Sequence, residues 1–409
     1  MAGRSAPRGG VPGLGNVAPM PCRASVVWND GYLGYDFGDH PMNPRRLDLT
    51  MRLADALGVL HAADVHSAAP ADEAALLTAH TPAYVEALRT ASVDPTYVGH
   101  GLGQPDTPAF AGMYEAAALI AGGSVQAARD VWHSDVEHSV NIAGGLHHAM
   151  PDAAAGFCAV NDVVIAIRWL LAAGAAKVAY VDVDVHHGDG VQAAFYDDPR
   201  VLTISLHQHP ATLFPGTGLP GEVGHGAARG TSVNVALPPG TGDDGWLRAF
   251  DAVVPPVVRA FAPDILVTQC GCDTHHEDPL AELALTVDGQ RAAFARLHEL
   301  AHRSAAGKWV AVGGGGYGIL RCVPRTWTHL IAEATGRRVE LSTPVPRPWL
   351  DYAREHGGPG RAPELMGEAA MLQPQPWMPD GTSRLDRSVL DSRRAVFPLL
   401  GLDPDDAHR

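Results

Sequence analysis

The chain has 409 residues, of which 46% are hydrophobic and 18% charged, enough apolar material to fill a substantial core. A chain of this length can form a single large α/β domain. The formal net charge of −15 argues against a nucleic-acid-binding surface, since such a surface needs clustered Lys and Arg. Five cysteines are too few for a disulfide scaffold. No secretory signal or membrane-spanning run is evident, so we expect a cytoplasmic location with no membrane or nucleic-acid partner.

Apolar runs alternate with helical patterns along most of the chain. Residues 1–22 are rich in Gly and Pro, which predicts a disordered N-terminal tail. The candidate strands are 25–28, 139–142, 178–183, 202–206, 265–269 and 309–312, and the candidate helices are 112–130, 162–173, 244–261 and 288–306. This alternation predicts an α/β fold with a mainly parallel central sheet and helices on both faces.

The composition changes near residue 340. The main domain is predicted at 23–340, and the Pro-, Gly- and Arg-rich segment 341–409 predicts a C-terminal extension packed loosely on it. In parallel sheets, chemistry collects where loops leave the carboxyl ends of strands. Polar motifs directly follow three of the candidate strands, so we expect functional residues there.

The segment 178–190, VAYVDVDVHHGDG, runs from a strand pattern into carboxylates and histidines. Side chains alternate along a strand, so Asp182, Asp184 and His186 share one face. A second apolar run, 265–268, leads to Asp273. Strand-end acids often only cap the following helix. Two carboxylates and an imidazole can also hold one divalent metal, and Asp184, His186 and Asp273 would leave positions open for water and substrate.

Three further segments supply other parts of one mechanism. His147 and His148 lie in a glycine-flanked loop, where one can act as general base and the other as its electrostatic partner. Asp182 and Asp189 are available to bond their far nitrogens. The run GGGGY at 313–317 lacks the Lys-Ser/Thr of a P-loop; its tight turn can swing Tyr317 towards the metal to stabilise an oxyanion. The loop 205–218 can form a rim.

The chain resembles the zinc-dependent histone deacetylase family, and within it the bacterial acetoin-utilisation deacetylases. The motifs that carry the resemblance are HPMNPRR (40–46), GGLHHA (144–149), GFCAVND (156–162), DVDVHHGDG (182–190), FPGTG (214–218), QCGCD (269–273) and GGGGY (313–317). Their order and spacing match the family across roughly residues 25–335. The resemblance implies an arginase/deacetylase-like α/β fold.

The resemblance implies a role for each matching residue. The zinc ligands would be Asp184, His186 and Asp273; His148 would be the general base oriented by Asp189, His147 its partner oriented by Asp182, and Tyr317 the group that polarises the carbonyl. Substrate would contact Gly156, Phe157, Phe214 and the apolar wall residue Leu280, and Arg46 would lie by an internal pocket for the acetate product. Potassium is expected at Asp182, Asp184, His186, Ser205 and Leu206.

The implied activity is zinc-dependent hydrolysis of acetyl-lysine amides in proteins, releasing acetate and free lysine. Two carboxylates and one imidazole also suit Fe²⁺ or cobalt in the cell. The expected partners are acetylated proteins, such as an acetyl-CoA-forming synthetase. An acetylpolyamine deacetylase is an alternative, but it is expected to carry an acidic wall residue where Leu280 stands. An inactive acetyl-lysine-binding module would have lost the tyrosine, a ligand or the histidine pair.

Some residues depart from the family pattern or have no role in it. Ala159 replaces an aromatic residue, and the segment before FPGTG reads HPATL, so a different tunnel mouth is expected. His275 and His276 have no assigned role and are expected at the surface or behind the site. Cys270 and Cys272 are expected to be buried strand cysteines.

Overall fold

The computed structural model describes residues 22–380 and 382–406. The predicted disordered tail therefore lies outside the described residues, apart from Cys22, which is buried. The described strands form one sheet of eight parallel strands in the order β2-β1-β3-β8-β7-β4-β5-β6. The predicted α/β fold with a parallel sheet is confirmed.

The elements of the described chain have the following bounds. The strands are β1 Ala24–Val27, β2 Ala63–His66, β3 His138–Asn141, β4 Val178–Asp182, β5 Val201–Gln208, β6 Ser232–Leu237, β7 Ile265–Gln269 and β8 Trp309–Val312. The helices are α1 Arg45–Ala56, α2 Glu73–Leu76, α3 Pro82–Val93, α4 Met113–His133, α5 Asp162–Ala172, α6 Asp189–Phe195, α7 Asp243–Phe261, α8 Val287–Ser304, α9 Val323–Ala334, α10 Arg347–His356 and α11 Arg384–Val396.

Alternate strand residues divide between two apolar clusters, one on each face of the sheet. In β4, Val178 and Tyr180 belong to one cluster, whereas Ala179 and Val181 belong to the other. Helices α5 and α6 and the last turns of α4 contribute mainly to the first cluster. The rest of α4, together with α1, α7, α8, α9 and α11, contributes to the second. The period of two along each strand is what allows helices to cover both faces.

All six predicted strands are present, and the four predicted helices are α4, α5, α7 and α8. Strands β2 and β6 were not predicted. β2 is a short edge strand, ADVH, whose sequence has no apolar run. In β6, the polar residues Ser232 and Asn234 interrupt the apolar pattern, although both side chains are buried against Gln192 of α6.

The functional motifs follow the central strands β3, β8, β7 and β4, which are neighbours in the sheet. GGLHH follows β3, the glycine run follows β8, Asp273 follows β7, and Asp184 and His186 follow β4. Because all four strands are parallel, their carboxyl ends meet at one edge and bring these motifs together.

The C-terminal segment packs tightly, so the prediction of a loosely packed extension is wrong. Trp349 of α10 is buried and donates a hydrogen bond to the carbonyl of Leu49 in α1. Trp377 and Phe397 are also buried, and the Ser392 hydroxyl of α11 donates to the carbonyl of Asn234 in β6. A few large apolar side chains, spread along this Pro- and Gly-rich segment, pack it onto the main domain. The overall composition of the segment does not reveal them.

A buried ion cluster joins the C-terminal segment to the main domain. Glu368 lies 3.2 Å from Nε2 of His275 and 2.6 Å from Nη2 of Arg325 in α9. His275, to which the sequence assigned no role, is fully buried, while its neighbour His276 is exposed. Burial alone would raise the pKa of Glu368, but the hydrogen bond from His275 and the charge of Arg325 lower it to about 2.

No helix of the described residues is both long and apolar enough to cross a bilayer. Cys270 and Cys272 are fully buried, as predicted, but they lie in the loop after β7 and not in a strand.

Glu368→Gln should lower the free energy of unfolding near neutral pH by roughly 2 kcal/mol, because it leaves two buried cations without their carboxylate. Since the folded-state pKa of Glu368 is depressed, its contribution is present above its ordinary value of 4.5 and is lost as the pH falls towards 2. Urea unfolding of both proteins over this range measures the effect, and the two stabilities should converge at the acid end.

Glu364→Gln is the matched control, because Glu364 pairs with Arg361 on the exposed surface. Glu364→Gln should lower the free energy of unfolding by roughly 0.5 kcal/mol or less. Equal effects of the two substitutions would contradict the anchoring role of Glu368.

Candidate metal centre and active site

Asp184, His186 and Asp273 meet at the carboxyl ends of β4 and β7. Each offers one ligand atom, and these atoms lie within 4.8 Å of one another. The His186 Nδ1 atom is 3.1 Å from Oδ1 of Asp184 and 3.2 Å from Oδ2 of Asp273. All three residues are buried.

The outer oxygens of the two carboxylates are held by the protein. Oδ2 of Asp184 accepts hydrogen bonds from Gln269 Nε2 and from the amide of Gly315, both at 2.7 Å. Oδ1 of Asp273 accepts from the amide of Val185 at 2.9 Å. Each carboxylate is thereby oriented with its other oxygen towards His186. Oriented oxygen and nitrogen donors of this kind fit a divalent transition metal ion.

Glycines pack directly against these carboxylates. A Cβ atom on Gly315 would lie 1.9 Å from Oδ2 of Asp273, and one on Gly271 would lie 2.1 Å from Oδ2 of Asp184. The glycine run after β8 therefore lets the backbone reach the ligands closely enough for the Gly315 amide to bond Asp184. The sequence predicted the tight turn but not this contact.

The two histidines of the GGLHH loop form a hydrogen-bonded pair. Their Nε2 atoms are 3.0 Å apart. Nδ1 of His147 is 2.8 Å from Oδ2 of Asp182, and Nδ1 of His148 is 2.6 Å from Oδ1 of Asp189. The structure thus brings together both histidine–carboxylate pairs that the sequence predicted.

The pKa values of the two histidines are shifted in opposite directions. Burial alone would lower the pKa of His147, but the carboxylates of Asp182 and Asp184 outweigh it and raise that pKa to about 9. Burial, together with the positive charge on His147, lowers the pKa of His148 to about 4. Near neutral pH the pair therefore holds one shared positive charge, with His148 as the neutral member that can accept a proton.

Two residues that support the histidine pair were missed by the sequence analysis. The buried carboxylate of Asp162 accepts hydrogen bonds from the amides of Gly145 and Leu146 and so shapes the GGLHH loop. The hydroxyl of Tyr180 donates to Oδ2 of Asp182 at 2.6 Å. Asp162 lies in the GFCAVND motif and Tyr180 in β4, but neither position alone shows which loop it serves.

Tyr317 lies half-buried at the end of the glycine run. Its amide donates to Oδ2 of Asp278 at 2.8 Å, a positioning contact that the sequence did not indicate. Burial, followed by the nearby carboxylates of Asp273 and Asp184, raises the pKa of Tyr317 well above its ordinary value. Its hydroxyl therefore keeps its proton and can donate a hydrogen bond.

A narrow cavity reaches two residues of the candidate metal centre, Asp184 and His186. Its lining is formed by Met42, Gly145, Leu146, His147, His148, Gly156, Cys158, Asp184, His186, Gly314, Gly315 and Tyr317. The predicted aromatic pair flanks it: the Phe214 ring is 5.0 Å from that of His148, and the Phe157 ring is 5.6 Å from that of Tyr317. Phe214 is 47% exposed, which places it at the solvent side.

Gly156 lines the cavity at a point where only a glycine fits beside His148. Its φ is +53°, and a Cβ there would lie 2.3 Å from Cδ2 of His148. Its amide donates to Oδ2 of the exposed Asp106 at 2.7 Å. Asp106 is a carboxylate at the rim that the sequence analysis did not single out.

Two other predicted substrate residues do not line the cavity. Leu280 is half-buried, and its amide bonds Oδ1 of Asp278; its wall role stays a prediction. Arg46 is buried behind the glycine run, where its Nη1 donates to the carbonyls of Gly314 and Gly316. Arg46 therefore supports one wall of the cavity from outside.

Ala159 is fully buried, and its carbonyl and amide bond the hydroxyls of Tyr84 and Tyr35. The prediction that this position alters the tunnel mouth is therefore wrong.

The residues predicted to bind potassium are neighbours: Asp182 of β4 pairs in register with Ser205 of β5, next to Leu206. Potassium binding there stays a prediction.

Comparison with known proteins places this centre in a family. A model of the histone deacetylase domain matches residues 40–334. The chain is 37% identical over 376 residues to the acetoin utilization protein AcuC of Bacillus subtilis (strain 168), covering 90% of this chain and 96% of that protein. It is 37% identical over 315 residues to a probable deacetylase of Archaeoglobus fulgidus, covering 76% and 86%.

The acetoin utilization protein AcuC of Staphylococcus aureus (strain MSSA476) is 35% identical over 334 residues, covering 80% of this chain and 86% of that protein. The matched domain contains the candidate metal centre, the histidine pair and the glycine run with Tyr317. The chain belongs to the histone deacetylase family and is akin to the bacterial AcuC proteins.

Proposed function

We propose that the protein is a zinc-dependent deacetylase that hydrolyses acetyl-lysine side-chain amides in proteins, releasing acetate and free lysine. The proposal is carried by one narrow cavity that is lined by Asp184, His186 and the paired imidazoles of His147 and His148. Asp273 lies directly behind this lining, with a ligand oxygen within 4.8 Å of those of Asp184 and His186. A general base and a divalent ion at one site are what amide hydrolysis by water requires.

Asp184, His186 and Asp273 would hold the zinc ion, although the same donors also suit Fe²⁺. When bound, this ion supplies a Lewis acid that polarises the amide carbonyl and lowers the pKa of a water molecule. Potassium near Asp182 and Ser205 is part of the same proposal, by resemblance to the family.

The chain's own residues would move the protons. His148, neutral and held through Nδ1 by Asp189, takes the proton from the attacking water. His147, cationic and held by Asp182, offsets the negative charge that develops beside it. The protonated Tyr317 hydroxyl donates to the oxyanion. The proton on the imidazole pair then passes to the leaving amine.

The cavity favours the acetylated side chain of lysine. Phe157 and Phe214 at its solvent side offer apolar surface to a methylene stem, and Leu280 offers no charge to a second ammonium group. The net charge of −15 favours basic segments around an acetyl-lysine. The AcuC relatives are named for acetoin utilization, a metabolic process, so we propose cytoplasmic acetylated enzymes, such as an acetyl-CoA-forming synthetase, as partners.

Gly315→Ala should weaken zinc binding at least tenfold, because its Cβ would lie 1.9 Å from the Asp273 ligand oxygen and would break the Gly315–Asp184 contact. Equilibrium dialysis against zinc measures the change. Gly221→Ala is the control, because a Cβ there meets nothing within 4 Å. Normal zinc affinity in Gly315→Ala would contradict the assigned ligands.

Tyr317→Phe should lower kcat by ~10²-fold or more, as expected for the loss of one oxyanion donor. Metal content should stay at the wild-type level, because the hydroxyl is not a ligand. Steady-state kinetics on an acetyl-lysine peptide, paired with elemental analysis, test both statements. An unchanged kcat on a substrate whose chemical step is slow would remove Tyr317 from the mechanism.

Acetyl-lysine peptides should be hydrolysed with a higher kcat/KM than acetylspermidine or acetylputrescine, because the proposed wall residue Leu280 offers no charge to a second ammonium group. Leu280→Glu should shift the ratio towards the polyamines. Val93→Glu adds the same charge at a site that is 86% exposed, and should leave the ratio unchanged.

If the wild-type protein preferred acetylpolyamines, the proposal of a lysine substrate would be wrong, but the proposal of a deacetylase would stand. No turnover of any of these amides by the zinc-loaded protein would instead support a binding module.

A further inference from the structure

Four metal-binding side chains meet at the amino-terminal edge of the sheet, opposite the candidate active site. They form what we call the Cys-His cluster: Cys22, His138, His298 and His302. Cys22 precedes β1, His138 begins β3, and the other two lie one turn apart on α8. Their ligand atoms all lie within 4.8 Å of one another.

The three distances among Cys22, His298 and His302 are close to those of a tetrahedral zinc site. Zn–N bonds of about 2.0–2.1 Å and a Zn–S bond of about 2.3 Å place ligand nitrogens about 3.3 Å apart and the sulfur about 3.6 Å from each. Here the Nε2 atoms of His298 and His302 are 3.0 Å apart. Sγ of Cys22 is 3.6 Å from the first and 3.4 Å from the second.

His138 gives an independent indication of a missing ligand partner. Its Nδ1 is 2.7 Å from the carbonyl of Ala334, so Nδ1 carries the proton and Nε2 keeps its lone pair. This Nε2 atom is buried, and no hydrogen-bond partner is present for it among the described residues. An imidazole held through one nitrogen by a backbone carbonyl, with the other nitrogen free to coordinate, is the usual arrangement of a metal-bound histidine.

The cluster also has a path to solvent. His302 is exposed, whereas Cys22, His138 and His298 are buried. An ion can therefore enter from the surface and be enclosed on its other sides by the protein.

We propose that the Cys-His cluster is a second metal site that binds zinc as a structural ion. One thiolate and three imidazoles complete a tetrahedron and leave no position for substrate, unlike the candidate active site. Binding releases the thiol proton of Cys22 to solvent. The ion would fasten the start of β1 and the start of β3 to the end of α8.

Cobalt(II) replaces zinc in such sites and reports sulfur ligation through a thiolate-to-metal charge-transfer absorption. The candidate active site supplies only oxygen and nitrogen ligands, so this absorption would belong to the cluster alone. The full-length protein, stripped of metal and reloaded with Co²⁺, should show the band. Asp184→Ala should retain it, and Cys22→Ser should lose it. No band in the wild type, or an unchanged band in Cys22→Ser, would overturn the proposal.

His302→Ala tests the site without leaving a cavity in the protein interior, because His302 is exposed. It should lose one equivalent of zinc by elemental analysis, and zinc should no longer raise its thermal midpoint through this site. Cys270→Ser and His329→Ala are controls, since both residues are buried outside the cluster and His329 also has an unpartnered ring nitrogen. Both controls should keep the ion; its loss from them too would reject the assignment. These measurements do not depend on deacetylase activity, so the proposed function could fail without affecting the proposal of a second metal site.

Discussion

Two buried carboxylates that share one histidine are the constraint on which the candidate active site depends. Burial and the neighbouring carboxylate of Asp184 raise the pKa of Asp273 to about 6. Two such groups can stay ionised side by side only with nearby donors and a cation. The amides of Val185 and Gly315, the Gln269 side chain and the glycine turns are all arranged around this need. The loops after β4, β7 and β8 therefore cannot vary independently.

The same electrostatic arrangement extends to the histidine pair. Asp182 and Asp184 belong to one short segment, yet Asp182 serves His147 while Asp184 serves the metal centre. Tyr180 in turn holds Asp182 from within β4. A single strand end thus supplies one carboxylate to the histidine pair and another to the candidate metal centre. This sharing explains why the chemistry occupies the middle of the sheet, where neighbouring strands can supply the remaining contacts.

Much of this centre could be predicted because its signals are local. Asp184 and His186 stand at the end of an apolar strand, and parallel strands must bring their carboxyl ends together. The supporting residues could not be assigned in the same way. Asp278 holds Tyr317 from 39 positions away, and nothing in its own segment indicates that partner. The Cys-His cluster likewise joins residues 276 and 280 positions apart, a pairing that only the folded chain shows. In the C-terminal segment, overall composition concealed the few large side chains that fix it.

The position of α11 has a consequence for how the folded chains behave towards one another. An open sheet has two edges, and unpaired strand edges invite pairing between molecules. At one edge, α11 packs on β6, and Ser392 bonds the backbone of Asn234. At the other edge, β2 is only four residues long and carries Asp64 and His66. The packing of α11 therefore protects the β6 edge from pairing with other molecules, and a chain shortened before α11 would expose that edge.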